Sequence, residues 1–437
     1  MKRRTIAIFV TGFNMEYESR VVAGAYRRCM ERDINLLIFA SQLTRPDLNS
    51  DRVLADSIIR GEAEIFDLLN YELVDGVIVL GESIVSEKTL DDLKSRAAER
   101  GIPVVNVNDD NHTFDHNVVL SDKTAMEFVV EHLVTDHGLT KINFIGGFPG
   151  NLQTEERLAA YKKVLAAHNI PIEEERIAYG KFWKAAADCT EQFLKAEEPP
   201  QAIVCASDTM AIFCMDYLRS RGLRIPEDIA VTGFDGIKDC EVYDPTITTV
   251  QRDFDSAGVK AVDIIADGWD GIRYDQAVSV DSKLIRHHSC GCPDVKTEAG
   301  FYNANYGTIN SFKQFNNDLI VMNTKFPGVR TSEELYAGAA PIAKFFKLRR
   351  VFICICKAVE MFSENTQEGS GGMTCGGLTE TMLSMLQYDH DVPVRTEFPV
   401  SRLVPVNILE EEKPVCFAFS PLYFDDLFLG YIGYELP

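Results

Sequence analysis

The fold of most of this chain is decided by residues 202–236, AIVCASDTMAIFCMDYLRSRGLRIPEDIAVTGFDG. A short apolar stretch precedes an amphipathic one, and a second apolar stretch then ends in a Gly-Phe-Asp-Gly turn. This pattern predicts a strand at 202–206, a helix at 208–221 and a strand at 229–233. The apolar stretches are nearly continuous, which is typical of strands buried on both faces. The segment therefore predicts one strand–helix–strand unit of a parallel sheet.

The same alternation extends over about the first 290 residues. Further strands are predicted at 5–10, 34–40, 74–80, 103–107, 141–146 and 277–286, and further helices at 15–32, 51–70, 88–100, 154–168 and 254–268. We expect an α/β fold with two lobes, each a doubly wound parallel sheet, split near 108–117 with crossovers near 235–250 and 275–285. Ligands of open α/β sheets bind at the carboxyl ends of the strands, so two such lobes predict a cleft that closes by hinge motion.

Length and composition exclude several classes of protein. The 437 residues predict about three compact units. No apolar stretch reaches the roughly 18 residues of a membrane helix, so we expect no membrane partner. The apolar part of the opening MKRRTIAIFVTGF is too short for a signal peptide, which predicts a cytoplasmic protein. A net charge of −22 without a Lys/Arg-rich stripe predicts no direct binding of nucleic acid.

Common catalytic and cofactor-binding motifs are absent from the sequence. The chain lacks G-x-x-x-x-G-K-[ST], G-x-S-x-G and H-E-x-x-H, so we expect a protein that is not an enzyme and has no cofactor. Cys290 and Cys292 form a C-x-C pair, but no second Cys/His pair stands at zinc-site spacing. We favour structural thiols over a metal site, because most of the 11 cysteines lie within apolar segments.

Several separated segments resemble the effector domain of the LacI/GalR family of repressors, and they occur in that family's order. The resemblance covers about residues 5–290. It implies a periplasmic-binding-protein-like type I fold, a small-molecule ligand (by analogy a sugar) in the interlobe cleft, and a homodimer. The matching segments are 202–236 quoted above, ITTVQRD at 247–253, Val119–Asp122, HLVTDHGLTKINFIGG at 132–147, and Arg157 with Tyr161.

Two features depart from the repressors of that family. Repressors carry a helix-turn-helix before the first strand, whereas here the first strand is predicted to begin at Thr5. The segment LIRHHSCGCPD at 284–294 resembles the end of such domains where they are fused to signalling outputs, notably diguanylate cyclases with a GGDEF motif. No GGDEF motif occurs in the chain, so we expect the domain to report to an output module beyond residue 437.

Residues 293–437 differ in character from the preceding part. Helices are predicted at 301–322 and 332–346, strands at 350–356, 414–423 and 428–436, and a Gly/Ser-rich loop at 364–377. The last two strands flank an acidic turn, and this hairpin resembles the end of GAF-type sensor domains. We therefore predict a ligand-binding domain at 1–292 and a smaller α+β GAF-like domain at 293–437.

A sugar site needs charged or amide groups for pairs of hydroxyls and an aromatic face for the ring. From the resemblance, Arg157 would fork onto the ligand and Asp235 would supply a carboxylate. Alternatives remain: an exposed helix charge for Arg157, a turn residue for Asp235, a helix N-cap for Asp208 and core packing for Trp183. The full set of candidates is Phe13, Asn14, Tyr17, Glu82, Arg157, Trp183, Asp208, Asp235 and Gln251.

The resulting hypothesis is a cytoplasmic sugar sensor that closes on its ligand and signals to an output such as a diguanylate cyclase. Three alternatives stay open. The chain is the effector-binding part of a LacI-type transcriptional regulator, a solute-binding protein for transport, or an interaction scaffold with an empty cleft.

Overall fold

The computed structural model describes residues 3–12, 15–42, 56–84, 86–108, 114–293, 348–357, 378–388, 396–424 and 427–436. The strands are β1 (Thr5–Thr11), β2 (Asn35–Ser41), β3 (Gly76–Val79), β4 (Val104–Val107), β5 (His116–Leu120), β6 (Ile142–Gly146), β7 (Ile177–Tyr179), β8 (Ala202–Cys205), β9 (Ala230–Thr232), β10 (Thr249–Arg252), β11 (Ala277–Val280), β12 (Ser282–Ile285), β13 (Val351–Cys356), β14 (Thr381–Tyr388), β15 (Thr396–Pro399), β16 (Cys416–Phe424) and β17 (Leu427–Glu435).

The α-helices follow most strands of the first 290 residues, as predicted. They are α1 (Glu16–Glu31), α2 (Asp56–Asp67), α3 (Glu87–Arg100), α4 (Asp122–Thr135), α5 (Leu152–Ala167), α6 (Ala185–Leu194), α7 (Asp208–Ser220), α8 (Asp239–Val242) and α9 (Phe254–Trp269). Among the described residues, none of these helices is long and apolar enough to span a lipid bilayer.

The chain forms two compact units. Unit 1 contains Met1–Val119, Phe254–Val278 and Tyr302–Pro437, and unit 2 contains Leu120–Asp253 and Ser279–Phe301. The chain passes from one unit to the other after residues 119, 253 and 278, and these positions lie in or near the predicted split and crossovers. The division into domains at 1–292 and 293–437 stays a prediction.

Unit 1 is built on one sheet with the strand order β11-β5-β4-β3-β1-β2-β16-β17-β13-β14-β15. Strand β1 lies between β2 and β3 and is parallel to both. Every residue of β1 (TIAIFVT) and of β2 (NLLIFAS) is buried. Near-continuous apolar stretches thus do form strands covered on both faces, which confirms the parallel α/β prediction.

The C-terminal strands extend this same sheet. Strand β16 pairs in parallel with β2, and the rings of Phe39 and Phe419 stack with centroids 5.2 Å apart. The hairpin of β16 and β17 and the strand β13 are confirmed at the predicted places, whereas the predicted helices at 301–322 and 332–346 and the loop at 364–377 lie outside the described residues. Strand β2 would otherwise end the sheet with unpaired backbone groups, and β16 satisfies them.

Helices α1 and α9 of unit 1 pack together at unusually close range. A Cβ atom on Gly24 would collide with the carbonyl oxygen of Asp255, and one on Gly258 would collide with that of Val21. The two helices are also joined by a buried ion pair, in which Arg20 Nη2 lies 2.7 Å from Asp255 Oδ2. Glycine at these two positions is therefore what allows the helix backbones to touch.

Unit 2 contains a parallel sheet with the order β7-β6-β8-β9 and an antiparallel pair, β10 with β12. The predicted strand at 277–286 was wrong in one respect, since it is two strands that join different sheets: β11 pairs within the sheet of unit 1, and β12 pairs with β10. Strands β5, β7 and β10 and helices α4 and α6 were not predicted from the sequence. Strands of three to five residues carry too little periodicity to stand out.

Candidate functional site

Arg157 is the central residue of a buried charged cluster in unit 2. Helix α5 begins at an N-cap, Asn151, whose side chain accepts a hydrogen bond from Thr154 N at 3.0 Å. Arg157 lies on the next turn and is only 1% exposed. Its Nη1 donates to Ala206 O at 2.6 Å, and its guanidinium carbon lies 4.1 Å from the ring centre of Phe234. The alternative of an exposed helix charge is thereby wrong.

Two carboxylates and a second arginine complete the cluster. Asp122 Oδ2 accepts from Arg157 Nη2 at 2.6 Å, and Asp122 Oδ1 lies 2.9 Å from Arg252 Nε. Asp235 Oδ1 lies 3.3 Å from Arg252 Nη1 and 3.7 Å from Arg157 Nη2. Two arginines thus alternate with two carboxylates, so the opposite charges compensate each other inside the protein.

Asp235 is the exposed member of this cluster. Its side chain is 24% exposed, against 2% for Arg157 and 4% for Asp122. Burial raises the pKa of Asp235, and the charges of Arg157 and Arg252 oppose that effect. Its φ of 118° lies in a region that side-chain-bearing residues rarely adopt, so the turn is strained. A strained, charged group open to solvent is a typical ligand contact.

Asp208 supports the turn that carries Asp235. It is fully buried, and its carboxylate accepts hydrogen bonds from Gly236 N at 2.7 Å, Ile237 N at 2.9 Å and Thr249 Oγ1 at 2.6 Å. Burial raises its pKa to about 7, and the charge of Asp235 adds to the effect. The N-cap of α7 is Ser207 rather than Asp208. The structure therefore places Asp208 behind the turn, where it fixes the backbone next to Asp235.

Trp183 and Gln251 are the other candidates of unit 2. Trp183 is 58% exposed and its ring lies 5.7 Å from that of Phe213, so it is not a core residue. The loop before it contains Lys181 and Phe182 with φ of 55° and 59°. Gln251 is half-buried in β10 and forms an isolated bridge with Asp235. Gln251 therefore adjoins the charged cluster, and Trp183 offers an accessible aromatic face.

The candidates of unit 1 form a second polar group. Tyr17 in α1 donates from its hydroxyl to Val107 O at 3.3 Å, and Glu82 accepts from Asn108 Nδ2 at 2.7 Å. Glu18 lies beside them: burial raises its pKa to about 8, a backbone hydrogen bond opposes this, and the charge of Glu82 adds to it. Phe13 and Asn14 lie outside the described residues.

Two members of the charged cluster, Asp122 and Arg252, were not among the predicted site residues. Both stand inside segments that carried the family resemblance, Val119–Asp122 and 247–253. Their charges in otherwise apolar surroundings were the available signal, because a charged residue is rarely buried unless it is paired.

Cysteine burial agrees with structural thiols at most positions. Cys29, Cys205, Cys214, Cys354 and Cys416 are all buried. Cys290 and Cys292 differ, because His132 and His137 approach them. The expectation that no second Cys/His pair stands at zinc-site spacing was wrong, because His132 and His137 have four residues between them.

A shallow cavity of about 130 Å³ also lies in unit 1, lined in part by Phe66, Tyr71 and Arg96. None of the predicted site residues lines it. We therefore assign it no role.

Comparisons with known proteins identify the class of fold. Residues 130–290 match the periplasmic binding protein-like domain family. The probable HTH-type transcriptional repressor ExuR of Bacillus subtilis (strain 168) is 31% identical over 203 residues, which are 45% of this chain and 59% of ExuR. The HTH-type transcriptional repressor PurR of Vibrio atlanticus (strain LGP32) is 26% identical over 263 residues, 60% of this chain and 73% of PurR. The chain thus spans less than two thirds of ExuR.

Solved structures agree on the fold. A sugar-binding transcriptional regulator of the LacI family from Escherichia coli, complexed with phosphate, is 24% identical with a TM-score of 0.51 over 65% of this chain and 97% of that chain. The lac repressor dimer bound to operator and the anti-inducer ONPF is 21% identical with a TM-score of 0.54 over 66% of this chain and 94% of its own. The chain therefore contains a periplasmic-binding-protein-like domain and shares the fold of these two regulators.

Proposed function

We propose that this chain is the effector-binding part of a LacI-type transcriptional regulator and that its effector is a sugar. The observation that carries the proposal is Asp235, a strained and partly exposed carboxylate held between Arg252 and Arg157. A carboxylate beside arginine N–H groups offers acceptors and donors to neighbouring hydroxyls of one ring. The exposed ring of Trp183 supplies the apolar face on which a sugar stacks.

The relatives support a transcriptional role over the cyclase-linked sensor. ExuR and PurR are both described as transcriptional repressors. The GAF-like character of residues 293–437 and a GGDEF output have no such support, and they remain hypotheses. Because these relatives are regulators and not enzymes, we propose a binding role without catalysis for this chain too.

The relatives bear on two predictions about partners, the homodimer and the absence of nucleic-acid binding. A solved relative is a dimer bound to operator DNA, which supports a homodimer here and gives no support to the prediction that nucleic acid is not a partner. With a net charge of −22, we propose that this part of the protein contacts the effector and that any DNA contact is made by other residues. A cytoplasmic location stays a prediction.

The test is a thermal-shift screen of monosaccharides, disaccharides and nucleosides on the full chain, followed by titration calorimetry of every hit. A ligand at 100 times its Kd stabilises the fold by about 2.7 kcal/mol. Asp235→Asn is expected to lower the affinity for such a ligand at least about tenfold, which is about 1.4 kcal/mol of binding free energy. The matched control is Asp188→Asn, an exposed aspartate of α6.

The outcomes separate the alternatives. A sugar that raises the melting temperature of the wild type and of the Asp188→Asn control, but not that of Asp235→Asn, supports the proposal. A hit among nucleosides alone contradicts the ligand class, and a sugar that binds Asp235→Asn normally contradicts the site. No hit in any class contradicts the effector-binding function and favours the scaffold.

A further inference from the structure

Two histidines and two cysteines of unit 2 point their ligand atoms at one another. His132 lies in the last turn of α4, and His137 lies in the turn that follows this helix. Cys290 and Cys292 stand more than 150 residues later, just after β12. The four ligand atoms all lie within 4.8 Å of one another. The fold thus assembles a Cys₂His₂ set from two distant segments.

Four of the six distances between these atoms are close to those of a tetrahedral shell. His132 Nε2 lies 3.5 Å from Cys290 Sγ and 3.5 Å from Cys292 Sγ. His137 Nε2 lies 3.5 Å from Cys292 Sγ and 3.2 Å from His132 Nε2. Tetrahedral zinc with the usual bond lengths separates a nitrogen from a sulfur by about 3.6 Å and two nitrogens by about 3.4 Å.

We propose that His132, His137, Cys290 and Cys292 bind one zinc ion as a structural site. Mixed thiolate and imidazole ligands in a tetrahedron suit zinc rather than magnesium or calcium, which take oxygen ligands. Four protein ligands fill the shell and leave no position for water or substrate, which is the arrangement of structural zinc.

Neighbouring groups orient His132 for this role. Its Nδ1 lies 2.7 Å from Asp136 Oδ2, so the proton is held on Nδ1 and the lone pair of Nε2 faces the cluster. A carboxylate behind a metal-binding histidine is the common outer partner in zinc sites. On the cysteine side, Thr248 Oγ1 lies 3.0 Å from Cys290 Sγ and 2.9 Å from His287 O, so its hydroxyl can donate to either. Both outer contacts favour the ligand forms that zinc requires.

Hydrogen bonds alone explain the cluster less well. Thiol protons could point at the imidazoles, but Nε2 of His132 and Nε2 of His137 would still face each other at 3.2 Å. With the proton of His132 on Nδ1, only His137 has a proton to place between them. Its Nε2 would then have no lone pair to accept a hydrogen bond from the Cys292 thiol. A cation at the centre satisfies all four atoms together.

The turn between the cysteines makes the arrangement possible. Gly291 has a φ of 97°, a conformation that glycine adopts without strain, and the backbone turns so that both sulfurs face α4. Ser289, next to the pair, donates from Oγ to Val231 O at 2.6 Å and accepts from Thr248 N at 2.9 Å. The segment is thus anchored to β9 and to the residue before β10, and zinc would attach it to α4 as well.

The zinc site would attach the C-x-C segment to a neighbouring helix. Residues 286–293 follow β12 in unit 2, and metal ligation would attach them to the C-terminal end of α4. A zinc-loaded site therefore fixes the position of the chain where it leaves β12. Loss of the metal is expected to loosen that segment while the buried sheet of unit 2 persists.

The experiment uses the full chain purified under reducing conditions. Metal content is measured by mass spectrometry after incubation with Zn²⁺ and desalting, and Co²⁺ is then substituted as a spectroscopic probe. The ligand variants are Cys290→Ser, Cys292→Ser, His132→Gln and His137→Gln. The matched controls are His288→Gln, an exposed neighbour in sequence, and Cys189→Ser, a buried thiol elsewhere in unit 2.

The expected result is one zinc per wild-type chain, loss of that zinc in each ligand variant and retention in both controls. Cobalt should give the strong visible bands of a tetrahedral site and a thiolate-to-metal charge-transfer band. Asp136→Asn should keep the site but weaken zinc binding about 10- to 100-fold in a competition with a chelator.

Two results would overturn the proposal. Wild-type chain that holds no zinc after reconstitution lacks the site, and zinc that remains in the Cys290→Ser and Cys292→Ser variants lies elsewhere. Should the ligand variants fail to fold, the cobalt spectrum of the wild type decides, because a spectrum without a thiolate charge-transfer band contradicts cysteine ligation.

Discussion

Arg157 and Asp122 form an ion pair of 2.6 Å in which both side chains are almost fully buried, at 2% and 4% exposure. The pair lies directly behind Asp235, which Arg157 approaches at 3.7 Å. Arg157 therefore does two things, since it neutralises a buried carboxylate and positions a partly exposed one. A variant of Arg157 alone cannot separate ligand binding from stability, which is why Asp235 is the better probe of the site.

Arg157→Ala is expected to destabilise the protein by about 3–5 kcal/mol, because it leaves Asp122 buried without its main partner. Urea unfolding at neutral pH measures the loss. The double variant Arg157→Met with Asp122→Asn removes both charges and should recover a substantial part of the loss. If the single variant costs less than about 1 kcal/mol, the pair does not support unit 2 as described.

Glu18→Gln is expected to stabilise the protein at alkaline pH. Burial raises the pKa of Glu18 from 4.5 to about 8, so the folded state binds a proton that the unfolded state has lost. The wild type therefore loses stability as the pH rises from about 5 to 8, and the amide avoids this loss. The gain should be several kcal/mol at pH 8, because each pH unit between the two pKa values corresponds to about 1.4 kcal/mol.

The control for Glu18→Gln is the pH profile itself. Below the unfolded pKa of 4.5 the wild-type carboxyl is neutral in both states, so the two proteins should then differ little. Melting temperatures from pH 4 to pH 9 test this. A difference that stays constant over the whole range would show that Glu18 does not titrate between the two states.

Gly258→Ala is expected to destabilise unit 1 by at least about 1–3 kcal/mol, because the added methyl group meets the carbonyl oxygen of Val21 in the facing helix. Gly268→Ala, in the same helix α9, has open space at the corresponding position and serves as the control. Alanine should be neutral or stabilising there. Equal effects at both glycines would contradict the close contact of α1 and α9.

Phe419→Ala is expected to cost about 3–5 kcal/mol, as for other buried phenylalanines. Its ring stacks on Phe39 and lies 6.0 Å from Tyr431, so the loss should affect the N-terminal and C-terminal strands of unit 1 together. Hydrogen exchange should show faster exchange in both β2 and β16. An effect confined to β16 and β17 would indicate that the C-terminal strands fold apart from the rest of the sheet.

The local strand and helix pattern of residues 5–290 could be predicted from the sequence. Apolar stretches such as 5–10 and 34–40 differ from β1 and β2 by a single residue at their ends. Helix α4 escaped prediction although it carries both Asp122 and His132, since its polar and apolar residues give only a weak amphipathic pattern. The pairing of β16 with β2 could not be predicted either, because periodicity reveals a strand but not its partner.

The candidate site was predictable in part, for a similar reason. Arg157, Asp208 and Asp235 stand in segments with a strong family pattern, and the structure brings them together with Asp122 and Arg252. The Cys/His cluster was predictable only in part: His132 and His137 have four residues between them, which is a usual spacing of zinc-binding histidines, but the two cysteines stand more than 150 residues later. Only the fold brings such pairs together.

The pairing of β16 with β2 also bears on how the protein is made. The partner of Leu36 is Cys416, so the outer edge of β2 has no native partner until a strand 380 residues later in the sequence (416 − 36) has left the ribosome. During that interval an apolar strand edge is open to other nascent chains. Slow translation, or a chaperone that shields β2, should therefore decide the yield of native protein more than the speed at which unit 2 folds.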